Sequence, residues 1–481
     1  MIKKTNPSVD NKPIKASFIY IGCSFLQKVF SIITIPVFTR IMTTEHYGIY
    51  SVYNSWLIVL SVFVSLNFGW DGVLNGFRDF KEKKEEMMNS VQFMALIIAA
   101  VYLILTIIFP GPISSFFTID ILYVRLMLIQ TGVSCSYDMW CAKQRYEFRY
   151  KSFCTVTLIY TIVPVALSLI SILLLRNTNT AVNRACVNSL TSFVIAFVLF
   201  LTIFKNANGK VKLKYWKYAL TLNLPLVPHY LCRTLMNQLD HIMINKIDGS
   251  SNAAIYSLAY SIGLLPNMLT LALNNALLPW IHRMIETNNV PRIKKVTNSI
   301  ACILSFGIVL LMLLAPEIVR IFGPESYQST IYVIPMIAAS TFAIYIYTVL
   351  SDIEIYYSAT RYIMIGSIIA TVFNAVSNYI FISKYGYIAA GYTTLASFFI
   401  ILIMYYIQYR TITRDNRTHY IDNRFLLILM GLVTITALVS PLVYRNIIAR
   451  YAIIIFILIV LLLFRKHIIA YLKDAIKEYK L

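Results

Sequence analysis

Charged residues are scarce in this sequence. Only 13% of its 481 residues are Asp, Glu, Lys or Arg, and 58% are hydrophobic, whereas soluble globular proteins carry about 25% charged residues. No polar stretch between the hydrophobic runs is long enough to form an independent soluble domain. The composition therefore excludes a soluble enzyme and indicates a chain that lies mainly in a lipid bilayer.

The sequence also lacks the spacing patterns of metal and catalytic sites. Its seven cysteines and six histidines are scattered without paired ligand spacing, and it contains no phosphate-binding loop. The outer connections between the hydrophobic runs are short and offer no place to assemble reactive groups. We therefore expect a protein that is not an enzyme and that holds no metal or cofactor.

Long hydrophobic runs of roughly 18 to 25 residues recur from Ala16 to Phe464. An α-helix of about 20 residues crosses the hydrocarbon core of a bilayer, so we expect an all-α integral membrane protein. The fourteen predicted transmembrane helices are 16–39, 47–70, 89–109, 119–141, 153–175, 185–204, 218–245, 252–281, 297–320, 328–350, 362–382, 387–409, 425–443 and 447–464.

Positive charge is unevenly distributed along the chain, which has a formal net charge of +21. With the N-terminal tail inside, 31 of the 42 Lys and Arg residues lie in inner loops and tails and 8 in outer loops. This is the positive-inside distribution of a multi-pass protein of the bacterial inner (cytoplasmic) membrane, with both termini in the cytoplasm. It favours anionic membrane lipids as partners, and not nucleic acid.

An internal repeat relates two parts of the chain at an offset of about 206 residues. Tyr50 aligns with Tyr256 in similar flanking sequence, and Pro110 aligns with Pro316 at the ends of the third and ninth predicted helices. Six helices in each copy place the two copies in the same orientation, so we expect two pseudo-symmetric lobes with a substrate cavity between them and alternating access.

The repeat predicts three parts of the chain. Helices 1 to 6 form an N-lobe at residues 1–215, and helices 7 to 12 form a C-lobe at 216–415. Residues 416–481 add two transmembrane helices and a cytoplasmic tail. Pro225 and Pro228 in helix 7, and Pro266 and Pro279 in helix 8, are expected to kink those helices, because proline lacks a backbone N–H.

Charged residues within hydrophobic runs are candidate functional residues, because a charge at the bilayer centre costs at least about 2.5 kcal/mol. Lys28 and Arg233 lie near the middle of helices 1 and 7 at nearly equivalent repeat positions, and such a pair of cations suits a diphosphate. Arg125 is a third substrate-binding candidate, although near the outer end of helix 4 it can also snorkel to the interface. Asp240, seven residues after Arg233, either binds a coupling proton or sodium ion or caps its helix.

The strongest motif is NAVSNYIFISKYGYIAAGYTTLASF from Asn374, and a second is LDHIMINKI from Leu239. Paired asparagines, a Tyr-Gly turn and a small-residue run in this order resemble the Wzx-type polysaccharide flippases of the multidrug/oligosaccharidyl-lipid/polysaccharide (MOP) exporter superfamily. Ala390-Gly391 stands where Gly-Ala is more usual, so the motifs identify the superfamily more sharply than the subfamily.

This resemblance implies a fold like that of the multidrug and toxin extrusion (MATE) transporters. It also implies transfer of an undecaprenyl-pyrophosphate-linked oligosaccharide, such as an O-antigen or capsule repeat unit, to the outer leaflet. Other polysaccharide-assembly membrane proteins would then be partners. The alternatives are a peptidoglycan-precursor flippase, a multidrug cation antiporter and, least favoured, a membrane polysaccharide polymerase or ligase.

Overall fold

The computed structural model describes residues 12–175, 179–358, 361–414 and 419–459, together with 462, 463 and 465. The regular elements of these residues are helices, without a strand, which confirms the predicted all-α class. The two tails that the charge distribution assigns to the cytoplasm lie largely outside the described residues. The chain divides into two compact units, Met1–Gln238 and Leu239–Leu481.

The first unit contains nine helices in the described residues and the start of a tenth. They are α1 (Lys12–Ile41), α2 (Thr44–Ser65), α3 (Val73–Asp79), α4 (Lys84–Ile108), α5 (Pro110–Phe117), α6 (Ile121–Tyr146), α7 (Tyr150–Leu174), α8 (Thr180–Asn206), α9 (Leu213–Asn223) and α10 (Val227–Asp248). Helix α6 lies at the centre and packs against α2, α4 and α8, while α7 packs against α8 and α1.

The helices of the second unit follow α10. They are α11 (Ser250–Gly263), α12 (Leu265–Glu286), α13 (Val290–Leu313), α14 (Ala315–Phe322), α15 (Ile334–Tyr356), α16 (Arg361–Tyr385), α17 (Ile388–Thr413), α18 (Asn423–Val443) and a short apolar helix at Ile447–Ile459. Here α15 is central, packing against α12, α13, α17 and α18, and α16 packs against α17.

The order of elements in the first unit returns in the second. In both units a long helix is followed by a helix of eight residues, α5 after α4 and α14 after α13. A central helix, α6 or α15, and two further long helices come next. This order agrees with the predicted duplication. The predicted boundaries at residues 215 and 415 stay predictions.

Ten helices of the described residues are long and apolar enough to cross a membrane, and two bent helix pairs raise the number to twelve. The predicted count of fourteen is not confirmed. Predicted helix 7 is not continuous, because Pro225 lies in a 3-10 turn at Leu224–Leu226 between α9 and α10. Predicted helix 14 lies partly outside the described residues. Predicted helix 8 is the second bent pair, with a 42° bend beside Pro266.

The inner end of the second predicted helix packs closely against α6. A π-helical turn at Phe68–Gly72 follows α2, and a Cβ atom on Gly69 would lie 2.5 Å from Cβ of Asp138 in α6. Only glycine allows the turn to approach α6 this closely. The small residue is therefore required by packing within the first unit.

Candidate functional site

A buried carboxylate lies in the second unit. Asp240, in α10, is 0% exposed. Its surroundings come from α11, α16 and α17. Burying a charged or polar group is costly unless hydrogen bonds compensate for lost hydration, so its partners determine what it can do.

Three side chains donate hydrogen bonds to the Asp240 carboxylate. The hydroxyl groups of Tyr256 and Thr394 donate to Oδ2, each at 2.5 Å. Nδ2 of Asn378 donates to Oδ1 at 2.5 Å. The three donors lie 16, 154 and 138 residues away along the chain, so tertiary packing assembles the group.

A second layer holds these donors in position. Asn378 also donates from Nδ2 to Oδ1 of Asn374 at 3.1 Å, one turn earlier in α16. Its own Oδ1 accepts a hydrogen bond from the Thr393 hydroxyl, and the Thr394 hydroxyl lies 2.7 Å from the carbonyl oxygen of Ala390. The result is a cluster of side-chain and backbone oxygen atoms around one carboxylate.

All three donors to Asp240 are neutral, and no ion pair to this carboxylate is found among the described residues. The neighbouring His241 is turned away, with Nδ1 at 2.8 Å from the Ser257 hydroxyl. A buried carboxylate without a basic partner carries an uncompensated charge unless it binds a proton or a cation. The cluster is thus suited to a single small cation. We name it the Asp240 cluster: Asp240, Tyr256, Asn374, Asn378, Thr393 and Thr394.

The first unit retains part of this arrangement without the acid. Tyr50 aligns with Tyr256 in the repeat, and its hydroxyl accepts a hydrogen bond from Nδ2 of Asn188 at 2.6 Å. Asn188 precedes Thr394 by 206 residues, the offset of the repeat, and at that offset Thr34 stands in place of Asp240. The buried acid is therefore a feature of the second unit.

The two candidate cations both lie in the first unit and both are exposed. Gln27 of α1 donates from Nε2 to the carbonyl oxygen of Thr157 at 2.9 Å, which fixes the face that α1 turns toward α7. Lys28, the next residue, points elsewhere, near the middle of the apolar segment Ile19–Ile41. Arg233 lies about two turns after the 3-10 turn that precedes α10.

Arg125 has a structural partner. It is half-buried in α6 and donates from Nη2 to the carbonyl oxygen of Thr106 in α4 at 3.2 Å, while its Nε is buried without a partner. Its role in substrate binding stays a prediction. Asp240 is the candidate that the structure surrounds with polar groups.

Three further acidic residues lie in the helices and were not singled out from the sequence. Asp138 lies in α6 beside Gly69. Asp352 and Glu354, in α15, are 3% and 0% exposed, and both carboxylate oxygens of Glu354 are buried without a hydrogen-bond partner. An acidic residue inside an apolar helix is the signal that would have identified Asp138, whereas Asp352 and Glu354 lie beyond the predicted end of their helix at residue 350 and within the observed α15.

A family model described as polysaccharide biosynthesis protein matches residues 14–285, more than half of the chain. The chain belongs to the polysaccharide biosynthesis protein family. A second model, MatE, matches residues 225–380. Among curated relatives of this family member is "Lsg locus putative protein 1" of Haemophilus influenzae. It is 23% identical over 377 residues, which cover 75% of this chain and 89% of the relative.

Solved structures share the fold of this polysaccharide biosynthesis family member. Lipid II flippase MurJ, in an inward closed conformation, aligns with a TM-score of 0.70 at 16% identity and covers 95% of this chain and 100% of that one. An inward-facing MATE family transporter of the MOP superfamily aligns at 0.58 and 14% identity, covering 80% and 98%. The predicted membership of the MOP superfamily is confirmed, and the apolar helices of the described residues indicate a multi-pass membrane protein.

Proposed function

We propose that this protein transfers an undecaprenyl-pyrophosphate-linked oligosaccharide, an O-antigen or capsule repeat unit, from the inner to the outer leaflet of the bacterial inner membrane. The observation that carries the proposal is the match of residues 14–285 to the polysaccharide biosynthesis family. Alternating access by two lobes is the mechanism that the repeat favours. The protein would act by moving the lipid and not by catalysis, with other polysaccharide-assembly membrane proteins as partners.

Lys28 and Arg233 would hold the diphosphate of this substrate. Both side chains are exposed on apolar or amphipathic helices, and an exposed cation in mid-helix is stable only where it meets water or an anion. Arg presents a planar fork of donors that matches phosphate oxygens, and Lys presents a compact charge. Arg125 is the third member of the proposed set.

The Asp240 cluster would couple transport to an ion gradient. Its carboxylate, the Asn374 and Asn378 side-chain oxygens and the hydroxyl groups offer hard oxygen ligands to a sodium ion, while the same buried acid can take up a proton. Binding of either cation removes the uncompensated charge that burial makes costly. Cation binding to the Asp240 cluster would change the relative stability of two helix packings of the second unit and so favour one of them.

A peptidoglycan-precursor flippase is the second candidate, favoured by the similarity in fold to Lipid II flippase MurJ. A multidrug cation antiporter would be expected to lack central cations, so Lys28 and Arg233 argue against it. A polymerase or ligase would need an assembled set of reactive groups, which the sequence does not offer.

Deletion of the gene, followed by leaflet-resolved analysis of lipid-linked sugars, tests the proposal. We expect lipid-linked oligosaccharide to accumulate on the inner leaflet while its synthesis continues. Accumulation of peptidoglycan precursor instead would favour the second candidate. Purified protein that lengthens or cleaves such a lipid would contradict transport as the activity.

A further inference from the structure

Two adjoining cavities on the second unit share one residue, Tyr406 of α17. One, of about 670 Å³, lies at the end of α17 and is lined by Arg410, Arg414 and His419 among others. The other, of about 210 Å³, lies between α15, α17 and α18 and is bordered by apolar side chains such as Ile403. The Tyr406 side chain therefore borders both a cationic cavity and an apolar groove.

One face of α17 forms a wall common to both cavities. Phe399, Ile403, Tyr406, Arg410 and Arg414 follow one another at intervals of three or four residues, which places them in a single stripe along the helix. At about 1.5 Å per residue, the apolar part of this stripe is about 10 Å long and the two arginines lie within the next 12 Å or so. Tyr406 stands at the change from apolar to charged.

The charged end of the stripe is not neutralised by the described residues. Arg410 and Arg414 are exposed, and neither forms an ion pair with a carboxylate in the described parts of the chain. Asp422, the acidic residue at the start of α18, accepts a hydrogen bond from the backbone N–H of Phe425 at 3.2 Å and serves as the helix cap. The cavity is thus suited to an anion, and Arg binds phosphoryl oxygens through paired N–H groups.

We propose that these two cavities bind one anionic glycerophospholipid. Its phosphoryl headgroup lies on Arg410 and Arg414, its glycerol region lies beside Tyr406, and one acyl chain lies in the groove between α17 and α18. The apolar groove favours a lipid over free phosphate, because a small anion would leave the groove empty. The positive-inside distribution assigns this end of α17 to the cytoplasmic side, where anionic lipids attract basic residues.

This lipid site differs from the proposed substrate site. Its lining residues belong to the second unit, whereas Lys28 and Arg233 belong to the first. We take the bound phospholipid as a resident lipid of the protein, and the binding test below compares it with the transported lipid. The inference does not depend on which glycan the protein exports.

Native mass spectrometry of the full-length protein in detergent, titrated with phosphatidylglycerol or phosphatidylcholine, tests the site. We expect one saturable phosphatidylglycerol adduct on the wild-type protein, with phosphatidylcholine binding at least about tenfold more weakly. The double variant Arg410→Gln/Arg414→Gln should lose this preference. A second variant, Ile403→Trp, should block the groove and weaken the phosphatidylglycerol adduct while both arginines remain. The Ile403 side chain is 55% exposed, so the protein should tolerate its replacement.

A matched control removes two positive charges elsewhere. Lys205→Gln/Lys217→Gln changes two exposed lysines on the predicted inner side, outside both cavities, and should keep the preference for phosphatidylglycerol. If this control loses the preference for phosphatidylglycerol to the same extent as the arginine variant, the preference arises from general surface charge and the proposed site is wrong. If millimolar inorganic phosphate displaces the phosphatidylglycerol, the site binds a small anion and does not require an acyl chain, which contradicts the proposal. Undecaprenyl phosphate binding far more tightly than phosphatidylglycerol would assign the groove to the transported lipid.

Discussion

Arg125 donates a hydrogen bond from Nη2 to the carbonyl oxygen of Thr106 across 3.2 Å. Thr106 lies four residues before Pro110, the first residue of α5. Because proline has no N–H, it cannot donate to this carbonyl oxygen as the next turn of a helix would. Arg125 replaces the missing donor at the point where α4 ends and α5 begins.

In the second unit, a different residue donates to the carbonyl oxygen that a proline leaves without an N–H donor. Pro316 aligns with Pro110, and the carbonyl oxygen four residues before it is that of Met312. The hydroxyl group of Tyr444 donates to this oxygen at 2.6 Å. Both copies of the repeat thus keep the proline, the short helix and an external donor, although the donors come from different elements.

Replacing Arg125 with Ala should reduce the thermal stability of the purified protein. The substitution removes the donor to Thr106 at a site where the backbone is shielded, and an unsatisfied buried carbonyl costs about 1 to 3 kcal/mol. Tyr444→Phe is the matched variant in the second unit and should act in the same direction. Full stability of Arg125→Ala combined with loss of export would instead support the predicted substrate-binding role of Arg125.

Lys28→Ala and Arg233→Ala should each abolish or strongly reduce export while leaving the protein inserted at normal levels. The physical reason is loss of a cation that meets the substrate diphosphate. Arg233→Lys should keep partial activity if a point charge suffices, and lose most of it if paired N–H groups are required. Lipid export per inserted molecule is the measurement.

The control for these variants is Lys217→Ala, which removes an exposed lysine of α9 and should leave export unchanged. Accessibility gives a separate test. With the seven native cysteines replaced, Lys28→Cys and Arg233→Cys should react with a water-soluble thiol reagent. Wild-type export by both alanine variants would contradict the proposed cation pair.

Asp240→Asn should abolish gradient-driven transport without unfolding the protein. The amide can still accept from Asn378 and can donate to a hydroxyl group, so the cluster keeps its hydrogen bonds while losing the charge. Uptake into proteoliposomes under a proton gradient or a sodium gradient would measure the effect and identify the ion.

Thr394 provides the matched pair of variants for this experiment. Thr394→Ser keeps a hydroxyl group at 394 and should retain most activity, whereas Thr394→Val removes the donor to Asp240 and should impair it. Normal ion-driven transport by Asp240→Asn would show that coupling occurs elsewhere, and the buried Glu354 would then become the next residue to substitute.

Gly69→Ala should destabilise the first unit markedly, whereas Gly111→Ala should not. A Cβ atom on Gly69 would meet Cβ of Asp138 at 2.5 Å, and neither atom can rotate away. A Cβ atom on Gly111 in α5 would have no neighbour within 4 Å among the described residues. Overpacking of this kind typically costs about 1 to 3 kcal/mol, which thermal unfolding of the purified variants can measure. Equal melting temperatures would contradict the close approach of the π-helical turn to α6.

The predicted topology can be tested with reporter fusions. The unequal distribution of Lys and Arg places Lys246 and Lys384 on the outer side. Fusions of an enzyme that is active only outside the cytoplasm should therefore be active at both positions and inactive after Lys217. Inner-side signals at Lys246 and Lys384 would reverse the proposed orientation.

The sequence by itself determined the class of protein and its superfamily, and it predicted the repeat. Hydropathy adds up along a helix, so a run such as 425–443 identifies a membrane-crossing segment whatever its neighbours are. The observed helix α18, Asn423–Val443, differs by two residues at its start. Pro225 and Pro266 lie at interruptions, as their local effect on a helix predicts. Pro279, predicted on the same ground, lies inside α12 without ending it.

Tertiary structure alone decided what each polar residue in those helices contacts. Asp240 was identified as a candidate from its type, but its hydrogen-bond partners Asn378 and Thr394 lie 138 and 154 residues away. Arg125 acquired a carbonyl partner for the same reason. A hydrogen bond requires two groups to meet in space, and a composition or a periodicity along one helix carries no information about which other helix packs against it.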